Sequence, residues 1–265
     1  TLAAASRDKT IKLFSLDGKL LRTFTGHDGQ VWGVSFSPDG QAITSASKDK
    51  TVKLWSRDGK LLNTLQGHQD AVNWVSFSPD GKLLASASDD KTVKIWNLDG
   101  KLLYSLNGHS RRVNGVAWTP DSQAIASASI DNTVKIWSRD GNLLNNLTGD
   151  GDSFISVSFS PDGKTLAASS DDKVRIWNRE GTLLIALKGD KQELTSVSFS
   201  NDGKTLAAGS GNGTVIFQNL ADIELEKLLA RGCNLLHDYL QTNQKVMKGD
   251  GSANARGERA LCSSR

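Results

Sequence analysis

Residues 65–96 read "LQGHQDAVNWVSFSPDGKLLASASDDKTVKIW", and nearly the same run stands before it and after it. Gly-His pairs fall at 26–27, 67–68 and 108–109, and Gly-Asp takes that place at 149–150 and 189–190. The intervals are 41, 41, 41 and 40 residues. A fixed period near forty marks a chain built from repeated supersecondary units, and it outranks local propensity.

Each period reads as β structure throughout. "VWGVSF" (31–36) alternates, and "SPDG" (37–40) follows it. Proline at the second position fixes φ and glycine suits the fourth position of a type I turn. "QAITSAS" (41–47) is a second strand closed by "KDK" (48–50), and "TVKLW" (51–55) is a third, rich in β-branched and aromatic residues. Asp58-Gly59 then reads as a two-residue hairpin turn before a fourth strand, "KLLNTL" (60–65). Four short antiparallel strands cannot bury both faces of their sheet alone, so each unit must stack on copies of itself.

Gly-His, "SPDG", Ser-x-Ser-x-Asp and a tryptophan ending the third strand together resemble the WD-repeat family, across residues 1 to about 220. The resemblance implies an all-β fold, a β-propeller of four-stranded antiparallel blades. The Trp-Asp dipeptide itself is replaced by Trp-Ser or Trp-Asn, at Ser56, Asn97, Ser138 and Asn178. On the family's strand count, residues 1–25 supply strands b, c and d. Four full blades follow near 31–65, 72–106, 113–147 and 154–187, and residues 194–220 supply a, b and c. Family rings commonly have seven blades, which would place part of the ring upstream of Thr1. A six-bladed ring with two three-stranded sheets is the alternative.

The resemblance also assigns a structural hydrogen-bond network: His27, Ser45, Asp49 and Trp55; His68, Ser86, Asp90 and Trp96; His109, Ser127, Asp131 and Trp137. A buried imidazole needs an acceptor and an indole N–H needs one too, so such residues pin strand ends together. A catalytic reading of the Ser, His and Asp fails on number, since the set recurs three times and an enzyme needs one site. Zinc ligation by the three histidines fails on geometry, because equivalent places in successive blades lie around a ring. The network decays outward. Asp150 and Ala168 replace His and Ser in one repeat; Asp190, Ala208, Asn212 and Phe217 stand in the last, and Ala4, Asp8 and Phe14 in the first. These repeats are expected to be less rigid. A basic residue recurs in strand c (Lys12, Lys53, Lys94, Lys135, Arg175) and reads as a solvated position whose stem covers apolar surface.

The turns at one end of the strands barely vary, and those at the other end vary freely: "DGQVWG", "QDAVNW", "SRRVNG", "GDSFIS" and "KQELTS" follow the Gly-His or Gly-Asp. The varied end is the family's top face, where partners dock. Its mosaic includes Gln30, Trp32, Lys48, Asn73, Asp89, Arg112, Asn114, Ile130, Ile155, Asp171 and Glu193, with Trp32, Arg112 and Ile155 as anchors.

The rest of the composition bounds the class. The chain has 265 residues, 37% hydrophobic and 23% charged, with a formal net charge of +3. No apolar run is long enough for a membrane helix. The cations are dispersed and lack interleaved aromatics, so no nucleic-acid footprint is expected. The N-terminal residues carry no signal-peptide pattern, and a start at Thr suggests a fragment. The two cysteines, Cys233 and Cys262, are too few and too far along for a disulfide framework. A reducing, cytoplasmic setting follows. From residue 221 to 243 the apolar spacing becomes helical, with Asp222 as N-cap; Cys233 and His237 would share a face of that helix. Residues 244–265 are polar and read as disordered. This tail looks like the segment ending large bacterial signalling proteins that carry a WD-repeat sensor behind an NTPase or protease-like domain.

The expectation is a non-catalytic platform that binds a protein or peptide through its varied face, with upstream domains in the same polypeptide and no cofactor or metal. A repeat spacer and a propeller enzyme are the rival readings.

Overall fold

The computed structural model of the chain describes residues 1–149, 151–188 and 193–221. The chain divides into two units, Thr1–Phe217 and Gln218–Arg265. The helix expected over 221–243, its Cys233 and His237, and the polar tail over 244–265 lie outside the described residues, Ala221 apart.

Among the described residues six antiparallel sheets follow one another in chain order, a six-bladed propeller. The first holds β1 (Leu2–Ala5), β2 (Ile11–Phe14) and β3 (Leu20–Phe24). The second holds β4 (Val31–Phe36), β5 (Ala42–Ser47), β6 (Val52–Ser56) and β7 (Leu61–Leu65); the third holds β8 (Val72–Phe77), β9 (Leu83–Ser88), β10 (Thr92–Asn97) and β11 (Leu102–Asn107). The fourth holds β12 (Val113–Trp118), β13 (Ala124–Ser129), β14 (Thr133–Ser138) and β15 (Leu143–Thr148); the fifth holds β16 (Phe154–Phe159), β17 (Thr165–Ser170), β18 (Lys173–Asn178) and β19 (Leu183–Lys188). The sixth has three strands, β20 (Leu194–Phe199), β21 (Thr205–Ser210) and β22 (Val215–Asn219).

The core lies between sheets and not within them, as stacking requires. Ala46, Val52, Leu54 and Leu65 of the second sheet close on Val72, Val75, Phe77, Leu84 and Trp96 of the third. The third closes on the fourth, and the fourth on the fifth, with matching sets. All six residues of β9 and all six of β13 are buried, because a second strand has a neighbouring blade on each side. Strands β4, β8, β12, β16 and β20 pack side by side in that order as the innermost layer.

The turns follow their residues, with one correction. In "SPDG" the Gly40 N–H donates to the Ser37 carbonyl at 2.8 Å and Gly40 has φ +68°, so proline and glycine stand where a type I turn wants them. The Asp58-Gly59 turn is longer than the sequence reading has it. Gly59 N–H donates to the Ser56 carbonyl at 2.9 Å, and only Gly59, at φ +99°, is left-handed. This is a type I turn followed by a glycine in the αL region, a three-residue loop over Arg57–Gly59.

The glycine of Gly-His has a steric cause. A Cβ on Gly26 would meet the Trp55 ring at 3.1 Å, and one on Gly67 would meet the Trp96 ring at 3.1 Å, while φ is +145° and +154°. The indole lies against bare backbone at both places.

Candidate functional site

In sheets two to four the same four side chains form one directional chain. Trp55 Nε1 donates to Ser45 Oγ at 2.9 Å, Ser45 Oγ lies 2.7 Å from His27 Nε2, and His27 Nδ1 lies 2.7 Å from Asp49 Oδ2. The corresponding distances are 2.8, 2.7 and 2.7 Å around His68, and 2.8 Å at all three places around His109. Indole N–H can only donate, so the serine oxygen accepts from it; with the imidazole in its neutral Nδ1–H tautomer, the serine directs its own proton to Nε2. Nε2 is then the bare nitrogen, and Nδ1–H donates to the aspartate. Burial depresses the pKa of His68 and His109, against the opposing pull of Asp90 and Asp131.

The aspartates are held ionised. Asp49 also accepts from Thr51 N–H at 3.0 Å, Thr51 Oγ1 at 2.6 Å and Asp28 N–H at 3.0 Å. Burial opposes the charge, yet the bonds from His27 and Thr51 together keep its carboxyl far below the usual carboxylate range. Asp90 and Asp131 are shifted in the same direction, burial again working against bonds from the histidine and threonine. Nothing in this arrangement offers a free nucleophile. Among the described residues, no group of three His, Cys, Asp or Glu side chains is placed to hold a metal ion.

The fifth sheet rebuilds the same place with different chemistry. Ala168 has no hydroxyl, and Arg175 occupies the interior instead. Its guanidinium lies over the Phe154 ring at 5.7 Å, donates to Ser170 Oγ at 3.1 Å and pairs with Asp152 Oδ2 at 2.7 Å. In the sixth sheet the turn bond from Ser210 N–H to Thr214 O matches that from Ser47 to Thr51 in the second. That equivalence puts Gln218, and not Phe217, at the tryptophan place.

Three of the five strand-c cations are buried, contrary to the sequence expectation of a solvated position; Lys12 and Lys53 are half-buried. Lys94 and Lys135 are each 8% exposed and Arg175 is 1% exposed. Lys53, Lys94 and Lys135 donate to Thr64, Ser105 and Asn146 on the adjacent fourth strand, at 3.0, 2.9 and 2.7 Å. The sequence gives strand c a residue with a long stem; it hides that the neighbouring strand offers the head group an oxygen in the same place each time.

The varied face is aimed by a repeated irregularity. The pairing of the first and second strands shifts at Val31/Gly33, Val72/Trp74, Val113/Gly115, Phe154/Ser156 and Leu194/Ser196. Each shift leaves one residue unpaired: Trp32, Asn73, Asn114, Ile155 and Thr195. A bulge re-aims its side chain and ends regular pairing. Four backbone bonds then tie the two varied loops of a blade together: Lys48 N–H to Gln30 O, Asp89 to Ala71, Ile130 to Arg112 and Gly211 to Glu193, at 2.9, 2.9, 3.3 and 2.9 Å.

A concavity of about 720 Å³ opens among these residues. Trp32, Asn73, Arg112, Asn114, Ile130, Ile155, Asp171 and Glu193 line it. Gln30, Lys48 and Asp89 do not, although Gln30 Oε1 accepts from Trp32 Nε1–H at 3.2 Å. Two of the lining residues are already engaged. Asn73 Nδ2 donates to Asp89 Oδ1 and to Val113 O, both at 2.8 Å, and Asn114 Nδ2 donates to Phe154 O at 2.9 Å. Both amides bond across to the next sheet.

Sequence reasoning missed Trp74. It lines the concavity and is 41% exposed. Gly33, Gly115, Ser156 and Ser196 hold the equivalent places, so the signal was a large aromatic where every other repeat is small. Gly33 makes room for it: a Cβ there would lie 3.0 Å from the Trp74 Cα and 3.3 Å from its ring.

Stacked four-stranded sheets with a repeated Trp–Ser–His–Asp chain and a varied upper face define a propeller of the WD type. The model of the WD domain, G-beta repeat, matches residues 18–56, 59–97, 100–138, 141–178 and 181–217, more than half of the chain. The chain belongs to that family. It is similar to the Nuclear distribution protein PAC1 of Mycosarcoma maydis, 49% identical over 45 residues, which is 17% of this chain and 10% of the relative. It is also similar to the Protein transport protein SEC13 of Candida albicans, 58% identical over 40 residues, 14% of this chain and 13% of the relative. A third relative is the Non-functional target of rapamycin complex subunit LST8-2 of Arabidopsis thaliana, 54% identical over 41 residues, 15% of this chain and 13% of the relative. Each match is about one repeat long. The chain thus aligns to only about an eighth or less of these relatives, all of them eukaryotic.

Proposed function

We propose that this chain is a non-catalytic docking platform that binds a protein or peptide at the concavity of its varied face. It would serve as a sensor or scaffold module in a larger, cytoplasmic signalling protein of the bacterial kind named above. The observation that carries the reading is convergence. Five equivalent bulges and four paired loops surround one hollow lined by Trp32, Trp74, Arg112 and Ile155, on a frame fixed by buried hydrogen bonds. Tryptophan and arginine dominate binding energy where a partner desolvates them.

Affinity capture with the intact chain and with a Trp32→Ala/Arg112→Ala double variant tests this. A partner recovered by the first and lost from the second, at equal melting temperature, supports docking at the concavity. A partner held equally by both places its contact elsewhere, and the proposed site fails.

A further inference from the structure

We propose that the concavity receives a basic side chain, arginine or lysine, carried by the docked segment. This deepens the docking reading and rests on it. Two features of different origin point to a cation.

The first is the aromatic wall. Trp74 stands where the other four blades have glycine or serine, so at that one level of the inner layer a single indole stands among small residues. Its exposed face offers an electron-rich surface to a cation, and its ring gives a methylene stem something to lie on. The second is the placing of charge. The chain is basic overall, yet the charged residues lining this hollow are Arg112, Asp171 and Glu193. The segments that carry the two acids are neighbours: the Asp171 backbone carbonyl accepts from Leu194 N–H at 3.2 Å, one residue from Glu193. They stand on the fifth and sixth sheets, whereas Arg112 stands on the fourth. A cation docked at the junction of the fifth and sixth sheets would face that pair of acids, with the arginine one sheet away.

The floor between wall and acids suits the same guest. Ser76, Ser156, Ser158, Ser196 and Ser198 line it, supplying hydroxyl oxygens that accept from a guanidinium or ammonium. An arginine can bond two carboxylate oxygens in its plane and stack on an indole at once; a lysine can do the two less well.

Random twelve-residue peptides displayed on phage would be selected on the intact chain. Enriched peptides, synthesised with fluorescein, would then be titrated by anisotropy. The expected peptides share an arginine or lysine, and alanine in its place weakens binding about tenfold or more. Asp171→Asn/Glu193→Gln weakens it by a similar factor, and Trp74→Ser, which installs the residue found at 156 and 196, by about fivefold. Circular dichroism should show each variant as folded as the parent. Peptides that need Trp74 or Arg112 but lack a common cation, or that ignore the loss of both carboxylates, overturn the cationic assignment and leave the docking reading standing. No enrichment, or peptides indifferent to Trp32, Trp74 and Arg112, overturns both.

Discussion

Ser127 stands between a donor and an acceptor that have no other partner of comparable quality. Removing its hydroxyl leaves the Trp137 indole N–H and the His109 Nε2 buried and unpaired. Each orphaned group costs about 1–3 kcal/mol. Ser169 is the opposite case. Among the described residues its Oγ is the one buried side-chain polar atom without a partner, at a place where Ala46, Ala87 and Ala128 stand in other sheets. Ser127→Ala should therefore lower unfolding free energy by about 2–3 kcal/mol, and Ser169→Ala should raise it by about 1 kcal/mol. Urea midpoints of the two variants check this, and equal shifts of the same sign would contradict it. The network also sets a pH dependence. His68 and His109 have folded pKa values below the ordinary 6.5, so the unfolded chain binds more protons as pH falls past that value. Their contribution is complete above about pH 6.5 and is lost below it. Asp49, Asp90 and Asp131 are depressed as well, and their share is lost only below about pH 4. Stability measured by urea unfolding should be level near pH 7–8, fall by pH 5 and fall more steeply below pH 4; equal midpoints at pH 7 and pH 5 would count against it. These four-residue sets were legible because they recur in register. The buried lysines were not, since a lone sequence says nothing of the oxygen that the next strand presents.

At the scale of strands and turns, the order and period were plain, and the irregularities were not. Asp-Gly fits a two-residue turn and equally a type I turn closed by an αL glycine, because both place glycine at positive φ. The bulges at Trp32, Asn73, Asn114, Ile155 and Thr195 leave no mark in an alternating strand, yet they set which residues face a partner. Strand rigidity follows burial. β9 and β13 are buried on every residue, whereas β21 alternates buried with half-buried and β22 has no buried residue. Amides of β9 and β13 should exchange hydrogen only through near-global unfolding, and those of β21 and β22 through local opening. Exchange followed by mass spectrometry should separate the two groups by about 100-fold or more in rate, which is about 2.7 kcal/mol of opening free energy. Uniform protection across all six sheets would show that the weakened network in the sixth has no effect on its rigidity.

For the propeller unit as a whole, the stacking rule that makes the core also marks where it stops. Val52, Val93 and Val134 are fully buried and Val174 is 4% exposed, because each lies between two sheets. Val215 holds the same place in the sixth sheet and is 56% exposed, and Phe217, in register with Leu54 and Ile95, is 71% exposed. Among the described residues β22 is also an edge strand. An exposed apolar edge strand is a template for pairing with another chain. The sequence showed the sixth repeat to be divergent, but a valine and a phenylalanine in a strand pattern read as core, and only the packing reveals them as surface. The chain should therefore self-associate as its concentration rises from about 1 to about 100 μM, a range in which exposed strand edges drive association. Val215→Thr/Phe217→Thr keeps β propensity while removing apolar area, so it should abolish that association and move the urea midpoint little, since the side chains bury little in the monomer. Light scattering across the range decides it. A parent that stays monomeric throughout, or a double variant that associates equally, would mean that this edge does not govern the solution behaviour of the propeller.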